Sequence, residues 1–279
     1  MISYRKLAMR VLGHSPVSAA KTARRSTAKR AAALALTAAL VVGMTLPAFA
    51  ETWFIEDGDI SISAGESGNH VEQGEKKQDE TTETIITNRK STASSNTVTI
   101  EAGEGKTVDV TLKNVNIDAS SGAAVSVTGK GDTNIELNGN NTLTSSSGYA
   151  GLEHNKTDNS GTLTITDDKG DAGSLTANGG IDGAGIGGSD ERDGQVTITG
   201  GEITATGGNG AAGIGGGAGD TDAVGGDGDV TISGGTITAT GGRLGAGIGG
   251  GYGAKPKPSG TLIGGNGTVT ISGGTISGC

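Results

Sequence analysis

The sequence predicts an all-β fold, a right-handed parallel β-helix of about six or seven coils that follows an N-terminal signal peptide. Three observations predict it. A unit of 33 to 39 residues recurs, as the spacing of Ile165, Ile198, Ile232 and Ile271 shows. Apolar residues alternate with hydroxyl residues inside each unit, which is the strand pattern. Gly-Gly pairs close each strand, as sharp corners require.

The repeat has two blocks separated from the next unit by a loop of variable length. The first block, Val196–Gly208, returns as Val230–Gly242 and again as Val269–Ser277. The second block is a short Gly-rich strand, found at Gly183–Gly188, Ala212–Gly217 and Ala246–Gly251. The blocks keep their length, and the extra residues fall in the loops. Insertions confined to one loop are typical of a solenoid, since each coil must keep its stacking faces.

Stacking explains how so few large side chains form a core. The chain has 54 Gly, 37 of them in residues 179–279. A single coil cannot bury its Ile residues, but stacked coils can, with paired strands about 4.8 Å apart. We therefore expect three internal rows, formed by Ile198, Ile232 and Ile271, by Ile203, Ile237 and Ile276, and by Ile186, Ile214 and Ile248.

The N-terminal part of the chain divides into two segments. Residues 1–50 hold eight basic and no acidic residues, an apolar run from Ala31 to Leu46 and an Ala-Phe-Ala site before Glu51, which together predict a cleaved secretory signal. Residues 51–97 are expected to cap the first coil, with a loop or disordered insertion at Glu75–Glu83. Residues 98–279 form the β-helix, which we expect to be truncated at its C-terminus, where the last repeat stops at Cys279.

The charge and the composition of the chain argue against several classes of protein. The whole chain carries a net charge of −9, and removing the eight basic residues of the signal leaves 13 Lys and Arg against 30 Asp and Glu, or −17. Such an acidic surface repels nucleic acid. Collagen is excluded because Gly does not fall at every third residue. One cysteine cannot form an internal disulfide. Plain disorder is the main competing interpretation, and the ordered Val and Ile positions argue against it.

The units V-T-I-x-G-G-x-I-T-A-T-G-G and G-A-G-I-G-G-G resemble those of secreted bacterial carbohydrate-binding β-helix proteins. The upstream stretch Val110–Ala119 and Gly122-Ala-Ala-Val125 add to the resemblance, which covers about residues 98–279. That family is similar in shape to pectate-lyase-type enzymes but is regarded as non-catalytic. The resemblance implies binding of plant cell-wall or acidic polysaccharide, with calcium in the structure. Gly-rich repeats of this type also occur in large adhesins.

Candidate site residues come from residue chemistry. Exposed aromatic rings stack on sugars, so Tyr149 and Tyr252, each beside a Gly-rich strand, are the predicted carbohydrate-binding residues. Calcium prefers carboxylate and carbonyl oxygens, which the variable loops supply. The predicted metal ligands are therefore Asp190, Asp193, Asp220, Asp222 and Asp227, with solvated charge runs as the alternative.

Catalysis has less support in the sequence. His154 is expected to be a surface residue, and no catalytic residue is predicted. A pectate-lyase-like elimination would need an Arg or Lys base, and Arg192 and Arg243 are the Arg residues of the repeat region. We therefore expect a secreted or cell-surface, non-enzymatic protein that binds polysaccharide, with no nucleic-acid partner and no membrane association after signal cleavage. The alternatives are a structural stalk or adhesin segment and, third, a polysaccharide lyase.

Overall fold

The computed structural model describes residues 51–66, 68–80, 84–169, 172–254 and 262–278, which belong to one compact unit. The predicted signal peptide, residues 1–50, and Cys279 lie outside the described residues. Among the described residues, the structure contains no helix that meets the length and apolarity needed to cross a membrane. Strands dominate, and the described helical structure is the 3-10 turn Ile55–Asp57.

The strands stack into three faces. Face A runs in the order β1, β5, β7, β10, β12, β15, β18, β21, with all neighbours parallel. Its strands are β1 (Thr52–Phe54), β5 (Thr84–Thr87), β7 (Thr107–Lys113), β10 (Asp132–Thr144), β12 (Leu163–Thr166), β15 (Gly194–Ile198), β18 (Gly228–Ile232) and β21 (Gly267–Ile271).

Face C follows face A along each repeat. Its order is β8, β10, β13, β16, β19, β22, again parallel throughout. The long strand β10 belongs to both faces, because its first half pairs with β12 and its second half pairs with β13. The remaining strands of face C are β8 (Asn116–Asp118), β13 (Gly173–Asn178), β16 (Glu202–Thr206), β19 (Thr236–Thr240) and β22 (Thr275–Gly278).

Face B closes the coil with the shortest strands. Its order is β4, β3, β2, β6, β9, β11, β14, β17, β20, and it is parallel from β2 onwards. The strands are β2 (Ile60–Ala64), β3 (Asn69–Gln73), β4 (Lys76–Glu80), β6 (Val98–Ala102), β9 (Val125–Gly129), β11 (Leu152–Glu153), β14 (Ile186–Gly187), β17 (Ile214–Gly215) and β20 (Ile248–Gly249). These faces confirm the predicted all-β parallel architecture.

The three predicted Ile rows are confirmed by the register. Ile198 pairs with Ile232, which pairs with Ile271. The same alignment holds for the row through Ile237 on face C and the row through Ile214 on face B. The Ile side chains of the inner coils, such as Ile198 and Ile232, are fully buried, and each contributes about 1.5–3 kcal/mol relative to exposure.

The N-terminal cap differs from the expectation. The sequence predicts a loop or disordered insertion at Glu75–Glu83, whereas Lys76–Glu80 form β4, which pairs antiparallel with β3; residues 81–83 lie outside the described residues. Cross-strand charges favour this hairpin, since the Lys77 Nζ donates to Glu72 at 2.7 Å. The hairpin extends face B beyond β2.

Candidate functional site

One corner of the coil repeats the same backbone conformation in four successive units. Gly148, Asp182, Gly210 and Leu244 stand two residues before an Ala-Gly-Ile or Ala-Gly-Leu strand, and all four have a positive φ, between 67° and 86°. Three of their carbonyls accept a backbone N–H from the following block: Gly148 from Asp190, Asp182 from Ala218, and Gly210 from Tyr252, at 2.8–2.9 Å. The corner is therefore a stacked ladder, and we call it the left-handed corner.

Two residues of this corner are strained. Glycine tolerates the left-handed region without cost, whereas a residue with a Cβ loses about 1–2 kcal/mol there. Asp182, with φ 67°, and Leu244, with φ 73°, depart from the glycine used in the other two units. Leu244 also exposes 67% of its surface, so burial does not compensate its strain. Strain of this kind concentrates at functional sites.

Both strained side chains line one cavity. Its volume is about 410 Å³, within the usual range for small-ligand sites. The lining comes from three successive units and contains Asp182, Asn209, Gly210, Gly219, Asp220, Thr221, Arg243, Leu244, Tyr252 and Ala254. The cavity therefore combines an apolar aliphatic chain, an aromatic ring, a guanidinium and two carboxyl groups.

The Tyr252 ring has a defined place in this cavity. Its backbone N–H donates to the Gly210 carbonyl at 2.8 Å, and its carbonyl accepts from Gly219 at 2.7 Å. A Cβ at Gly210 would lie 3.7 Å from the Tyr252 Cδ1. The Tyr252 ring therefore packs beside Gly210, which has no side chain of its own to occupy that space. Tyr252 is half-buried and is thus held by the scaffold with part of its surface open.

Carboxyl groups converge at the same corner. Burial and the neighbouring Asp220 raise the pKa of Asp182 above its ordinary value. Burial, and then the charges of Asp182, Glu191 and Asp220, raise the pKa of Asp190. The Oδ1 of Asp190 is buried and has no hydrogen-bond partner. Of the predicted metal ligands, the structure therefore brings Asp190 and Asp220 near each other.

Other predicted metal ligands already have partners. Asp193 Oδ1 accepts the backbone N–H of Asp227 at 2.7 Å, and Asp227 Oδ1 accepts that of Asn266 at 2.6 Å. These carboxylates join consecutive units. Asp222 is exposed on the loop that follows Asp220 and has a φ of 68°. Nowhere in the described ranges do three or more His, Cys, Asp or Glu side chains gather closely enough to hold a metal ion. The described side chains thus do not form a prearranged calcium site, and calcium binding stays a prediction.

Tyr149 and the histidines lie elsewhere. Tyr149 is 42% exposed and does not line the cavity that Tyr252 lines. His70 lies on the N-terminal hairpin between Asp79 and Glu72, 2.6 and 3.1 Å away. The expectation that His154 is a surface residue is wrong. It is buried, and its Nδ1 bonds the Gln195 carbonyl at 2.9 Å, which ties the end of β11 to β15.

Sequence reasoning missed Asp182, Asn209 and Leu244. A signal for two of them exists, because aligning the units on the G-I-G-G block shows Asp and Leu where the other units have Gly. The same alignment places Tyr252 at the position that Ala218 and Asp190 hold in the two preceding units.

Comparison with known proteins agrees with the architecture. Two stretches, residues 196–218 and 230–252, match the family model described as Beta helix repeat. They cover most of the three strands in each of two successive units, from within β15 to β17 and from within β18 to β20. No curated protein and no solved structure gives a significant match to the chain. The two matching stretches and the stacked parallel strands agree in showing that the described residues fold as a parallel β-helix.

Proposed function

We propose that this chain is an exported, non-enzymatic polysaccharide-binding protein and that the cavity at the left-handed corner is its sugar site. One observation carries the proposal: Asp182 and Leu244 accept backbone strain where sister units have glycine, and both side chains line the cavity. A purely structural corner would hold glycine, or a short polar residue such as aspartate, and not a leucine as at Leu244. Strain without a structural gain is typical of a site kept for binding.

The lining suits sugar residues. Leu244 and Tyr252 offer apolar surface to the C–H faces of a pyranose ring. Asp182, Asp220 and Asn209 offer acceptors for sugar hydroxyl groups. Arg243 lines the cavity, and a guanidinium pairs with a carboxylate such as that of a uronate through two parallel hydrogen bonds. An acidic polysaccharide such as polygalacturonate is therefore the ligand class we propose, with bridging cations such as calcium offsetting its repulsion from the acidic surface of the chain.

Affinity electrophoresis tests this proposal. The full chain, Tyr252→Ala, Arg243→Gln and the control Tyr149→Ala are run in gels with and without polygalacturonate, each with calcium or with a chelator. We expect polygalacturonate to slow the wild type and Tyr149→Ala, and we expect Tyr252→Ala and Arg243→Gln to migrate freely. Equal wild-type migration in all gels would reject the sugar site and favour a structural stalk. Retardation lost only with the chelator would show that calcium is required.

A lyase is the second candidate, and one observation favours it. Arg243 lines the same cavity as Asp182 and Asp220, which places a basic side chain beside two carboxyl groups. Elimination from a polyuronate would remove the ring proton at C5 and break the glycosidic C4–O bond. The neighbouring sugar would leave as a protonated hydroxyl, and the new C4–C5 double bond, conjugated with the carboxylate, absorbs in the ultraviolet. Increasing ultraviolet absorbance on incubation with polygalacturonate, lost in Arg243→Gln, would establish an enzyme and contradict the non-catalytic proposal.

A further inference from the structure

The outer surface of face C carries a two-row array of hydroxyl side chains. Eight outward positions on four consecutive strands hold seven threonines and one asparagine: Thr142, Thr144, Thr176, Asn178, Thr204, Thr206, Thr238 and Thr240. The residues between the two rows point inward and are buried, namely Leu143, Ala177, Ala205 and Ala239. Strand alternation therefore directs all eight side chains to the same side of the sheet.

The register makes this array regular in two directions. Thr142 pairs with Thr176, Thr176 with Thr204, and Thr204 with Thr238, without a shift along the strands. Neighbouring hydroxyls in a row are therefore about 4.8 Å apart, and the two rows are about 6.6–6.8 Å apart along each strand. Threonine also has few χ1 rotamers, so its methyl and hydroxyl groups hold defined positions.

The hydroxyl groups at the centre of the array are open to solvent. Thr204, Thr206 and Thr240 are exposed, and their side chains have no hydrogen-bond partner among the described residues. Thr238 bonds with Ser277 of the next unit at 3.1 Å, which continues its row by one more hydroxyl. Within the array, the Asn178 Nδ2 donates to the Thr144 hydroxyl at 3.3 Å. The surface thus offers evenly spaced donors and acceptors, most of which the protein itself leaves unused.

The chemistry of the array favours one occupant. Its eight side chains carry neither charge nor aromatic ring, so it lacks the cations that bind nucleic acid and the rings that stack on sugars. A surface that is periodic in both directions fits an occupant with the same property. We propose that the threonine array binds the ordered water lattice of an ice surface, whose oxygen repeat along one axis is close to the spacing between coils.

Face A supplies a matched comparison on the same molecule. Its outward threonines Thr197 and Thr231 are also in register. However, the adjacent outward row holds Gln195 and Asp229, and Asp229 accepts a hydrogen bond from Lys156 at 2.7 Å. These charged and long side chains adjoin the threonine row of face A on one side, and Thr197→Tyr therefore changes a threonine on a different face from the proposed ice-binding surface.

Partition into slowly growing ice tests the proposal. The full chain, Thr204→Tyr and Thr206→Tyr on face C, and the control Thr197→Tyr on face A are fluorescently labelled and frozen from dilute solution. We expect the wild type and Thr197→Tyr to enter the ice, and the two face C variants to fall to the level of a non-binding globular protein. Circular dichroism shows whether each variant keeps its strands, and Thr204→Val, which keeps shape and loses the hydroxyl, serves as a gentler second variant.

Two results would overturn the proposal: equal losses in Thr197→Tyr and Thr204→Tyr, or exclusion of the wild type from ice, either alone or together with Thr204-dependent retention on microcrystalline cellulose. The last would assign the array to a crystalline polysaccharide. The proposal does not rest on the sugar cavity. Retardation by polygalacturonate is expected to be unchanged in Thr204→Tyr, so the failure of one proposal is distinguishable from the failure of the other.

Discussion

Leu244 holds the left-handed conformation, with φ 73°, at the corner position that Gly210 holds one unit earlier with φ 82°. The two residues are equivalent because the strands that follow them pair Ile214 with Ile248. The leucine loses about 1–2 kcal/mol of backbone energy that the glycine does not lose. Its side chain is mostly exposed, and it lines the cavity that also contains Tyr252. Leu244 therefore joins a strained backbone position to the cavity proposed as the sugar site.

Replacing Leu244 by glycine is expected to stabilise the protein and weaken sugar binding. Relief of strain exceeds the extra entropy that glycine gives the unfolded chain, so we expect the free energy of unfolding to rise by on the order of 0.5 kcal/mol. Retardation by polygalacturonate should fall because the apolar wall of the cavity is lost. Urea unfolding and affinity electrophoresis measure the two effects.

Leu244→Ala is the matched control for that prediction. Alanine removes most of the side chain but keeps the Cβ, and therefore keeps the strain. It should lose binding as Leu244→Gly does and gain no stability. A Leu244→Gly variant that is less stable than Leu244→Ala would contradict the assignment of strain to this position.

Gly215→Ala should be among the most damaging single substitutions in the repeat. Gly215 has φ 135°, and a Cβ there would lie 1.9 Å from the Gly249 carbonyl oxygen of the next unit. The clash falls on backbone in a stacked face, so relief requires separating two coils. We expect the free energy of unfolding to fall by more than about 3 kcal/mol.

Gly122→Ala is the matched control, because it introduces the backbone strain of a positive φ without the steric clash expected in Gly215→Ala. Gly122 also has a positive φ, 77°, but no atom lies within 4 Å of the site of a Cβ. Its cost is limited to about 1–2 kcal/mol of backbone strain. Similar losses in Gly122→Ala and Gly215→Ala would show that close stacking between coils does not restrict the second position.

The Ile rows should become less important toward the last described coil. Ile232 is fully buried, whereas Ile271, its neighbour in the same row, exposes 53% of its surface. We expect Ile232→Ala to cost about 2–5 kcal/mol and Ile271→Ala to cost at most about 1 kcal/mol. Urea unfolding of the two variants checks the difference, and equal costs would indicate that another structure covers Ile271 in solution.

The regular part of the fold could be predicted from sequence because stacking imposes one rule on every unit. Equivalent residues must pair, so the spacing of Ile198, Ile232 and Ile271 was sufficient to predict their register. The cap follows no such rule. Its hairpin depends on pairs such as Lys77 with Glu72, which have no period, and the polar composition of the segment instead predicted a loop.

The candidate site could be predicted only in part. Tyr252 and Asp220 are visible as aromatic and acidic residues beside a loop, but their neighbours come from other units. Asp182 lines the same cavity as Tyr252 although it lies two coils earlier in the chain. The feature that sets Asp182 apart is its φ of 67°, a backbone angle that the amino-acid composition does not reveal. The sequence also could not distinguish Asp193, whose carboxylate accepts a backbone N–H, from Asp190, whose Oδ1 has no partner.

Buried His154 should make the protein sensitive to acid. Burial lowers the pKa of His154, although its hydrogen bond to the Gln195 carbonyl acts in the opposite direction. The unfolded chain therefore binds a proton more readily than the folded chain. The contribution of His154 to stability is fully present above its ordinary pKa of 6.5 and is lost as pH falls through the lower folded value. Melting temperature measured across this range should decrease on the acid side.

The neighbouring Glu153 should affect the pH dependence of stability in the opposite direction to His154, so the contributions of the two residues can be measured separately. Burial raises the pKa of Glu153, although Ser126 and Arg192 act to lower it. Its contribution is present below the ordinary pKa of 4.5 and is lost as pH rises through the higher folded value. Glu153→Gln should therefore gain stability relative to the wild type as pH rises, because it cannot ionise, whereas His154→Gln should flatten the loss between neutral and mildly acidic pH. An unchanged acid slope in His154→Gln would assign the loss of stability to groups other than His154.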